Sequence, residues 1–421
     1  MIKFLAKGLF RDRSRSLLPI LIIAVGVTIT VLMYSWLMGF SVMFIEENAR
    51  FDTGHVKIVT RAYNALIDQK PYDLGLLNVN EKIKTLSSEH PEVHWQPRIY
   101  FGGLLDLPDE DGETLSQGEV IGFGVDLFSD PFESELLNLQ ETLTKGSLPK
   151  KKGEILISEE VADKLGIGID DLVTLIGSTM YGSMAMSNFT VKGMVRFGVQ
   201  AMDRGAVIVD ISDTRSFLDM EDSASEILGF LPKYNEKITF EISDTFNAEF
   251  NDENDEFSDI MTPLRKQSNM EFMLQSMDQR LGSFIFVFIF IMSLILWNSG
   301  LMNGIRRYGE IGVRLAIGES KGHIYRSLIV ESILIGIAAT ILGTAIGLGL
   351  SYLLQYNGFD ISSFMKNSDI IMGATMRAQV TPVSYYIGFI PGVLASVIGA
   401  LFSGIGIYKR NTAQLFKELE T

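Results

Sequence analysis

Four long apolar runs constrain this chain more than any other feature of its sequence. The first run, Ser16–Gly39, contains 24 residues and no charge, whereas a helix needs about 20 apolar residues to cross a bilayer. The run is too long for the apolar core of a signal peptide, and no Ala-x-Ala cleavage pattern follows it. Three further runs lie near the other end, at Ser283–Asn303, Ser327–Leu354 and Ser384–Tyr408. The sequence therefore predicts four transmembrane helices.

Basic residues indicate which flanks of these helices face the cytoplasm, because Lys and Arg are enriched in short cytoplasmic loops. They occur in residues 1–15, in the 304–326 loop and in the tail after residue 408. Both termini are therefore expected in the cytoplasm, and residues 40–282 on the outer side. This outer segment holds 43 acidic and 21 basic residues. Its acidity argues against a nucleic-acid partner.

The outer segment contains short alternating or β-branched runs between Gly, Pro and Asp residues, which is typical of a folded domain. Ser158 caps a predicted helix that Gly166 ends, and Ser212 opens another that runs through Leu218. Mixed helices and strands indicate an α/β or α+β domain of two lobes. The candidate strands are His55–Thr60, Glu119–Val125, Glu154–Ile157, Leu172–Ile176, Phe189–Phe197, Ala206–Asp210 and Lys237–Ile242.

The predicted fold is an α-helical membrane protein with four transmembrane helices and a large α/β extracytoplasmic domain between helices 1 and 2. The predicted segments are a cytoplasmic basic segment (1–15), transmembrane helix 1 with a stalk (16–49), the extracytoplasmic domain (50–268), a stalk with transmembrane helix 2 (269–303), a cytoplasmic coupling loop (304–326), transmembrane helix 3 (327–356), an extracytoplasmic loop (357–383), transmembrane helix 4 (384–408) and a cytoplasmic tail (409–421).

Apolar residues continue beyond the membrane on both sides of the outer domain. An apolar stripe outside the membrane needs a partner, so these residues either form a two-helix stalk or pack under the outer domain. In the first case they provide an apolar path for acyl chains. The stripe consists of Phe40, Met43 and Phe44 after the first helix and of Met270, Met273 and Met277 before the second.

Motifs for chemistry are absent from the sequence. It contains no Walker A sequence, no H-E-x-x-H and no G-x-S-x-G, so we expect no catalytic site and no ATPase activity in this chain alone. It has no Cys, and its four His are scattered, which argues against a metal site. The acidic run Glu249–Asp259 lacks the spacing of an EF-hand and is interpreted as a solvated loop.

The 304–326 loop contains a predicted short helix, Tyr308–Ile317, that Gly318 ends. A short helix fixed between two spans is suited to receive the movement of a motor protein. The alternative is a helix that rests on lipid headgroups. The predicted helix has an apolar side formed by Ile311, Leu315 and Ile317, and an i,i+4 ion pair between Glu310 and Arg314.

Three stretches carry a resemblance to a known family. GEIGVRLAIGESKGHIYRSLIVES (309–332) resembles the E-I-G-x-x-x-A-x-G region of FtsX-like permeases, and LFRDRSRSLLPILIIAVGV (9–27) resembles their first span. GHVKIV, VIGFGVD and GEILISEEVADKLGIGIDDLVTL resemble the MacB-type periplasmic domain. Within this superfamily, YNGFDISSFMKNSDIIMG (356–373) is most similar to lipoprotein-releasing permeases of the LolC/LolE type.

The resemblance implies a permease subunit of an ABC transporter in the bacterial inner membrane. It implies a separate dimer of ATP-binding subunits that holds ATP and Mg, a second permease copy or a paralogue, and no cofactor on this chain. The residues that would contact the ATP-binding subunits are Glu310, Ile311, Gly312, Arg314, Ala316 and Gly318. The tail GIGIYKRNTAQLFKEL departs from the family, which often has Pro-Ala after span four.

The resemblance also implies a lipoprotein or other amphipathic cargo and a periplasmic carrier. In LolC-like permeases a hairpin recruits the carrier, and the corresponding hairpin here is Gly177–Asn188. This hairpin lacks the family's prolines, and it either recruits a carrier or packs on its own domain or a dimer partner. Its predicted exposed residues are Met180, Tyr181, Met184 and Met186. An FtsX-like signalling role, which activates an outer partner without moving cargo, is the alternative function.

Overall fold

The computed structural model describes residues 13–109, 111–267, 270–305, 308–360 and 375–409. Most of the predicted N-terminal segment, of the 357–383 loop and of the tail therefore lies outside the described residues. The chain divides into two compact units. We call Met1–Val42, Ser276–Phe359 and Met376–Thr421 the membrane unit, and Met43–Gln275 with Asp360–Thr375 the inserted domain.

Helices occur in both units. In chain order they are α1 (Arg13–Asn48), α2 (Arg61–Ala65), α3 (Val79–Glu89), α4 (Phe132–Leu136), α5 (Leu139–Thr142), α6 (Glu159–Leu165), α7 (Gln200–Asp203), α8 (Ile211–Leu218), α9 (Glu236–Phe250), α10 (Met270–Ile305), α11 (Tyr308–Ala316), α12 (Lys321–Asn357) and α13 (Ala395–Lys409). Wider π-helical turns follow α1 at Ala49–Thr53 and precede α13 at Ile390–Leu394.

Most of the strands lie between α1 and α10. In chain order they are β1 (Val56–Thr60), β2 (Leu76–Leu77), β3 (His94–Pro108), β4 (Thr114–Val125), β5 (Leu143–Gly146), β6 (Glu154–Ser158), β7 (Leu172–Ser178), β8 (Met184–Val195), β9 (Ala206–Asp210), β10 (Ser223–Ala224), β11 (Glu226–Phe230), β12 (Asp259–Pro263), β13 (Phe359–Asp360) and β14 (Thr375–Met376).

The prediction of four membrane helices is confirmed. Four helical segments are long and apolar enough to span a membrane: Leu17–Thr53, Met270–Asn298, Lys321–Asn357 and Pro382–Ile405. The first and third bury 39% of their most apolar stretch within the chain and the fourth buries 56%, but the second buries only 6%. One face of the second span therefore has no cover from the described part of this chain.

Small residues bring α1 and α12 into close contact in the membrane unit. A Cβ atom at Gly343 would lie 2.5 Å from the carbonyl oxygen of Ala24, which leaves space for glycine only. Thr28 Oγ1 donates a hydrogen bond to the carbonyl of Gly343 at 3.1 Å. Val27 and Val31 of α1 pack with Ala339 of α12 in the same apolar cluster. Such close backbone approach is typical of membrane helix pairs.

The prediction of a large α/β domain is also confirmed. In one part of it, four antiparallel strands lie in the order β12-β1-β11-β3, and α3 and α9 follow β1 and β11 along the chain. This β-α-β-β-α-β order is a ferredoxin-like arrangement. The strands at which the domain begins and ends, β1 and β12, are direct neighbours, with Val56 opposite Pro263.

Six strands, β3 among them, form a closed ring of hydrogen-bonded pairs. β3 pairs with β4, β4 with β9, β9 with β6, β6 with β8, β8 with β7, and β7 again with β3. Closing a sheet on itself makes a barrel in which alternate residues face the interior. Fully buried residues from several of these strands, including Ile157, Leu175 and Val207, belong to one apolar core.

The structure confirms one predicted helix start and corrects another. Ser158 Oγ accepts a hydrogen bond from the amide of Val161 at 3.2 Å, and Gly166 ends α6 with φ of +70°. The second helix begins earlier than predicted, because Asp210, and not Ser212, provides the cap. Its carboxylate accepts a hydrogen bond from the amide of Ser212 at 2.9 Å.

The predicted strand Lys237–Ile242 is wrong, since these residues lie in α9. Asn235 caps this helix by accepting from the amides of Lys237 and Ile238. The alternating sequence was compatible with a strand, but its buried residues follow helical spacing. They are Thr239, Ile242, Ser243 and Phe246.

Candidate functional site

The predicted coupling helix is present as α11. It ends in a Schellman motif, in which the amide of Glu319 donates to the carbonyl of Arg314 and that of Gly318 to Leu315, each at 3.1 Å. Gly318 has φ of +99°, a conformation that glycine adopts readily. The chain therefore turns sharply between α11 and α12, as the glycine predicted.

Only part of the predicted apolar side of α11 packs. Ile311 is 3% exposed and contacts the α12 residue Ile324, with Leu315 beside them. Ile317 was expected on the same side, but it is 81% exposed because it lies beyond the last helical turn. The packed residues hold α11 against the start of α12.

The predicted contact residues of α11 divide into a buried and an exposed set. Ile311 and Gly312 are buried, whereas Arg314, Ala316 and Gly318 are exposed. The side chain of Glu310 lies outside the described residues, so its pair with Arg314 stays a prediction. Arg314 Nε lies 3.8 Å from a carboxylate oxygen of Glu319. The free surface of this segment combines a basic residue with the exposed apolar side chains of Val313 and Ile317.

The predicted stalk residues belong to both units. Phe40 and Met277 lie in the membrane unit, and Met43, Phe44, Met270 and Met273 lie in the inserted domain. Phe44 and Met270 are 5% and 7% exposed, so their side chains are packed, while Met273 is 42% exposed. Helix α1 contains 36 residues, or about 54 Å at about 1.5 Å per residue, and is longer than a bilayer core is thick.

A partly buried group of charged side chains lies where the inserted domain begins. Lys57 is 1% exposed, and its Nζ lies 2.8 Å from a carboxylate oxygen of Glu226, which is fully buried. Nζ of Lys70 lies 3.2 Å from the other carboxylate oxygen of Glu226 and also pairs with Asp52. Tyr63 donates its hydroxyl to Glu226 at 2.9 Å. We call Asp52, Lys57, Lys70 and Glu226 the ionic cluster.

Burial and neighbouring charges act in opposite directions on groups around the ionic cluster. Burial disfavours the charged form of Lys70, but the carboxylates of Glu226 and Asp52 outweigh this effect and raise its pKa. Burial raises the pKa of Tyr100 to about 12, although the cations of Arg98 and Lys70 oppose it. At neutral pH, Lys70 therefore stays charged and Tyr100 stays neutral.

The ionic cluster borders a cavity of about 260 Å³ that also touches two predicted stalk residues, Met270 and Met273. Gln267, another residue of the wall, donates from Nε2 to the carbonyls of Thr53 at 3.0 Å and Thr262 at 3.1 Å. This side of the proposed acyl path is therefore polar as well as apolar. Sequence reasoning missed the cluster, since a lysine in a strand is normally exposed; the β-branched run around Lys57 was the available signal.

The predicted hairpin is formed by β7 and β8, which pair from Leu172 opposite Thr190 to Ser178 opposite Met184. Tyr181, Met184 and Met186 are 76%, 77% and 60% exposed, as expected of an adaptable apolar surface. Met180 was also expected to be exposed, but it packs against the apolar core of its own domain.

The position of Met180 has a backbone cause. Its amide donates to the carbonyl of Leu218 at 2.7 Å, which turns the start of the loop toward the domain.

The exposed apolar surface of the hairpin continues onto the barrel. The register places Met186 opposite Ile176, and Ile176 opposite Leu104 of β3. Leu104 is 37% exposed, and Ile121 on the neighbouring β4 is 51% exposed. Cross-strand neighbours on one face form a continuous surface, so the apolar area is wider than the predicted hairpin tip.

No metal centre is found in the part of the chain that the structure describes. No group of three or more His, Asp or Glu side chains there is placed to hold an ion.

The sequence matches two known families. Residues 16–254, more than half of the chain, match the MacB-like periplasmic core domain, and residues 282–412 match the FtsX-like permease C-terminal region. Together the two matches include most of α1, nearly all of the inserted domain, more than half of the second candidate span and the whole of the third and fourth.

Curated relatives are similar at low identity. The lipoprotein-releasing system transmembrane protein LolC of Xylella fastidiosa strain Temecula1 is 25% identical over 238 residues, which cover 53% of this chain and 54% of that protein. LolC of strain 9a5c is 25% identical over 294 residues, with 64% and 68% covered. The macrolide export ATP-binding/permease protein MacB of Bradyrhizobium diazoefficiens is 32% identical over 118 residues, with 26% and 17% covered. The chain thus spans about half the length of the first relative.

Among solved structures, the periplasmic region of MacB from Actinobacillus actinomycetemcomitans aligns with a TM-score of 0.37 and 12% identity. The alignment covers 56% of this chain and 97% of that structure.

Proposed function

Because the chain belongs to the family with a MacB-like periplasmic core domain and an FtsX-like permease region, we propose that it is the membrane subunit of an ABC transporter. A dimer of separate ATP-binding subunits holds ATP and Mg²⁺ and drives it, and this chain binds no cofactor itself. It lies in the bacterial inner membrane with both termini in the cytoplasm, in agreement with its basic flanks.

The observation that carries this proposal is the exposed end of α11. Helix α11 is held by Ile311 against α12, and Val313 on the helix and Ile317 directly after it are exposed to solvent, next to the charged Arg314. Exposed apolar side chains beside a cation are suited to a protein interface. A motor subunit that moves α11 would move α12 with it, because the two helices pack together.

The exposed second span supports a second permease subunit. Phe286, Phe290 and Ile291 of α10 are about half exposed or more, and the span buries little within this chain. Membrane helices associate when their faces fit, so a second copy or a paralogue covers this face in the assembled transporter.

The proposed cargo is a lipoprotein or another amphipathic molecule. Two relatives are named as parts of a lipoprotein-releasing system, and the exposed Tyr181, Met184 and Met186 provide an apolar surface for a periplasmic carrier. Within the inserted domain, acyl chains pass along Met43 and Met273, whose side chains are at least partly exposed, whereas Phe44 and Met270 are packed.

The coupling step is tested by stimulated ATP turnover of the assembled complex in nanodiscs. We expect Ile317→Asp combined with Arg314→Glu to reduce turnover at least tenfold, because both side chains are exposed at the proposed interface. Leu172→Asp changes an apolar residue of the inserted domain that is 52% exposed and is expected to have no effect. Normal turnover in the double variant, with the subunits still bound, would contradict the proposed interface.

The cargo step is tested by release of an acylated protein from proteoliposomes to a soluble carrier. Met43→Asp with Met273→Asp should block release but leave ATP turnover intact, because carboxylates are costly on a path for acyl chains. Phe257→Asp, at an exposed position of the acidic loop, serves as the control. Release at the normal rate would exclude this path, and an unmodified complex that hydrolyses ATP without releasing any acylated protein would favour the signalling alternative.

A further inference from the structure

A second cavity, of about 270 Å³, lies between α3 and α9 in the inserted domain. Its inner surface is apolar, since Ile58 of β1 and Ile227 of β11 are almost completely buried and Leu86 of α3 is 3% exposed. Phe246 and Phe250 of α9 form the opposite wall with ring centroids 4.7 Å apart. A space of this size and lining accepts one aromatic ring with a short alkyl chain.

The rim of this cleft is acidic. Glu81, Glu89 and Asp259 line it together with one cation, Lys82. Lys82 pairs with Asp259, so this cation is already neutralised. Neither Glu81 nor Glu89 has an ion-pair partner among the residues that the structure describes, and both are exposed. The rim therefore carries two carboxylates available to a ligand.

We propose that this cleft is a binding site for small amphipathic cations, molecules with one protonated amine and an apolar body about the size of a phenylalkyl group. The apolar body moves out of water into the cleft, while the ammonium group stays at the rim beside Glu81 or Glu89. A carboxylate of the same shape is repelled by the same residues. The acidic excess of residues 40–282 adds a long-range attraction for cations. The proposal does not depend on the cargo or on the motor subunit.

The test uses the full chain in nanodiscs of zwitterionic lipid, because detergent would compete for an apolar cleft. The probes are 4-phenylbutylamine, 4-phenylbutanol and 4-phenylbutyrate at pH 7, which share one apolar body and differ in charge. Saturation-transfer NMR against empty nanodiscs measures binding. We expect the amine to bind at least tenfold more tightly than the carboxylate, with the alcohol between them.

Two variants locate the site. Thr85→Trp places a large ring in the cleft from an exposed position of its wall and should abolish binding of all three probes. Glu81→Gln with Glu89→Gln should weaken the amine at least fivefold and leave the alcohol unchanged. Asp163→Asn, on the exposed side of α6, is the control for a general loss of negative charge.

Three results would overturn the proposal. The first is that the amine binds no more tightly than the carboxylate. The second is that the double Gln variant binds the amine as tightly as the unmodified chain does. The third is that Thr85→Trp is folded and still binds the probes. If Thr85→Trp does not fold, as judged by circular dichroism, the double Gln variant decides alone, since it changes only exposed side chains.

Discussion

The membrane unit and the inserted domain bury different kinds of polar group. In the described part of the membrane unit, the buried polar side chains are all Ser or Thr, such as Thr30, Thr340 and Ser351. The inserted domain buries complete charges, among them Arg98 and Glu133. A charge at the centre of a membrane helix costs about 2.5–3.5 kcal/mol. A hydroxyl can bond to its own helix, as Thr30 does to the carbonyl of Gly26 at 2.9 Å.

This difference shows how each unit reaches a unique packing. Lipid is as apolar as a leucine side chain, so membrane helices rely on close fit at small residues such as Gly343. The inserted domain folds in water and excludes it from a large apolar core, in which paired charges have defined partners. The two units are therefore tested by different mutations. Added side-chain volume tests the membrane unit, and an unpaired charge tests the inserted domain.

The largest expected effect is that of an unpaired charge in the inserted domain. Arg98 donates to both carboxylate oxygens of Glu133 at 2.9 Å, and both side chains are almost fully buried. Arg98→Met should lower the free energy of unfolding by about 3–5 kcal/mol, because it leaves Glu133 buried without a partner. Adding Glu133→Leu should recover most of this loss. Lys237→Met, which breaks an exposed pair with Glu241, should cost below about 1 kcal/mol.

Urea unfolding of the full chain in nanodiscs measures these differences. Trp95 is 4% exposed in the inserted domain, so its fluorescence reports on this unit when Trp36 and Trp297 are replaced by Phe. A double variant as unstable as Arg98→Met would contradict the account.

An intermediate effect is expected from added volume in the membrane unit. Gly343→Leu places side-chain atoms against the backbone of Ala24 and should destabilise the unit by about 1–3 kcal/mol. Gly349→Leu, on the same helix, meets no atom within 4 Å and should have little effect. Thermal unfolding followed by Trp297 fluorescence, with the other two Trp residues replaced, compares the variants. Equal losses at both positions would show that close backbone approach is not the cause.

The smallest effect is a loss of stability of the inserted domain at alkaline pH. Lys70 has a raised pKa in the folded state, so its contribution is complete below the unfolded value of about 10.5 and is lost as pH rises further. Tyr100, with a pKa of about 12, acts in the same direction above about pH 10. The free energy of unfolding measured by Trp95 fluorescence should therefore fall between about pH 10 and 12.

The same pH series separates the two units. The buried hydroxyls of the membrane unit belong to Ser and Thr, which do not titrate in this range, and its Tyr352 and Tyr385 are about half exposed, so the Trp297 transition should change less. Tyr100→Phe removes one titrating group and should reduce the pH dependence of the Trp95 transition. An unchanged dependence in this variant would remove Tyr100 from the explanation.

Sequence reasoning located features that depend on composition or on neighbouring residues. The four spans are long apolar runs, and the end of α11 follows from Gly318. It failed where distant residues decide the structure. The segment Lys237–Ile242 alternates like a strand, but its burial is set by the sheet on which α9 packs. Helical periodicity places Ile317 on the apolar side of α11, but the helix ends before this residue and its side chain is exposed.

The candidate sites show the same division. Tyr181, Met184 and Met186 are exposed as their hairpin predicted, but Met180 is held by a hydrogen bond to Leu218, 38 positions away in the chain. The β-branched run around Lys57 indicates a buried strand, but the ion pair could not be inferred from β1 alone, since the partner Glu226 lies on β11. Local patterns indicate which residues can act at a surface, and tertiary pairing decides which of them do.

The pairing of β1 with β12 also has a consequence for how such a chain is organised. Val56 and Pro263 lie opposite each other, so the domain begins and ends at one point. The chain therefore leaves this domain close to where it entered it, after about 200 residues. Bringing the flanking segments together costs little more conformational entropy than a short loop would. A domain whose two ends lie close together can be replaced by another domain at the same point of the chain. One set of membrane helices can thereby acquire different extracytoplasmic domains without changing the spacing of its own chain ends.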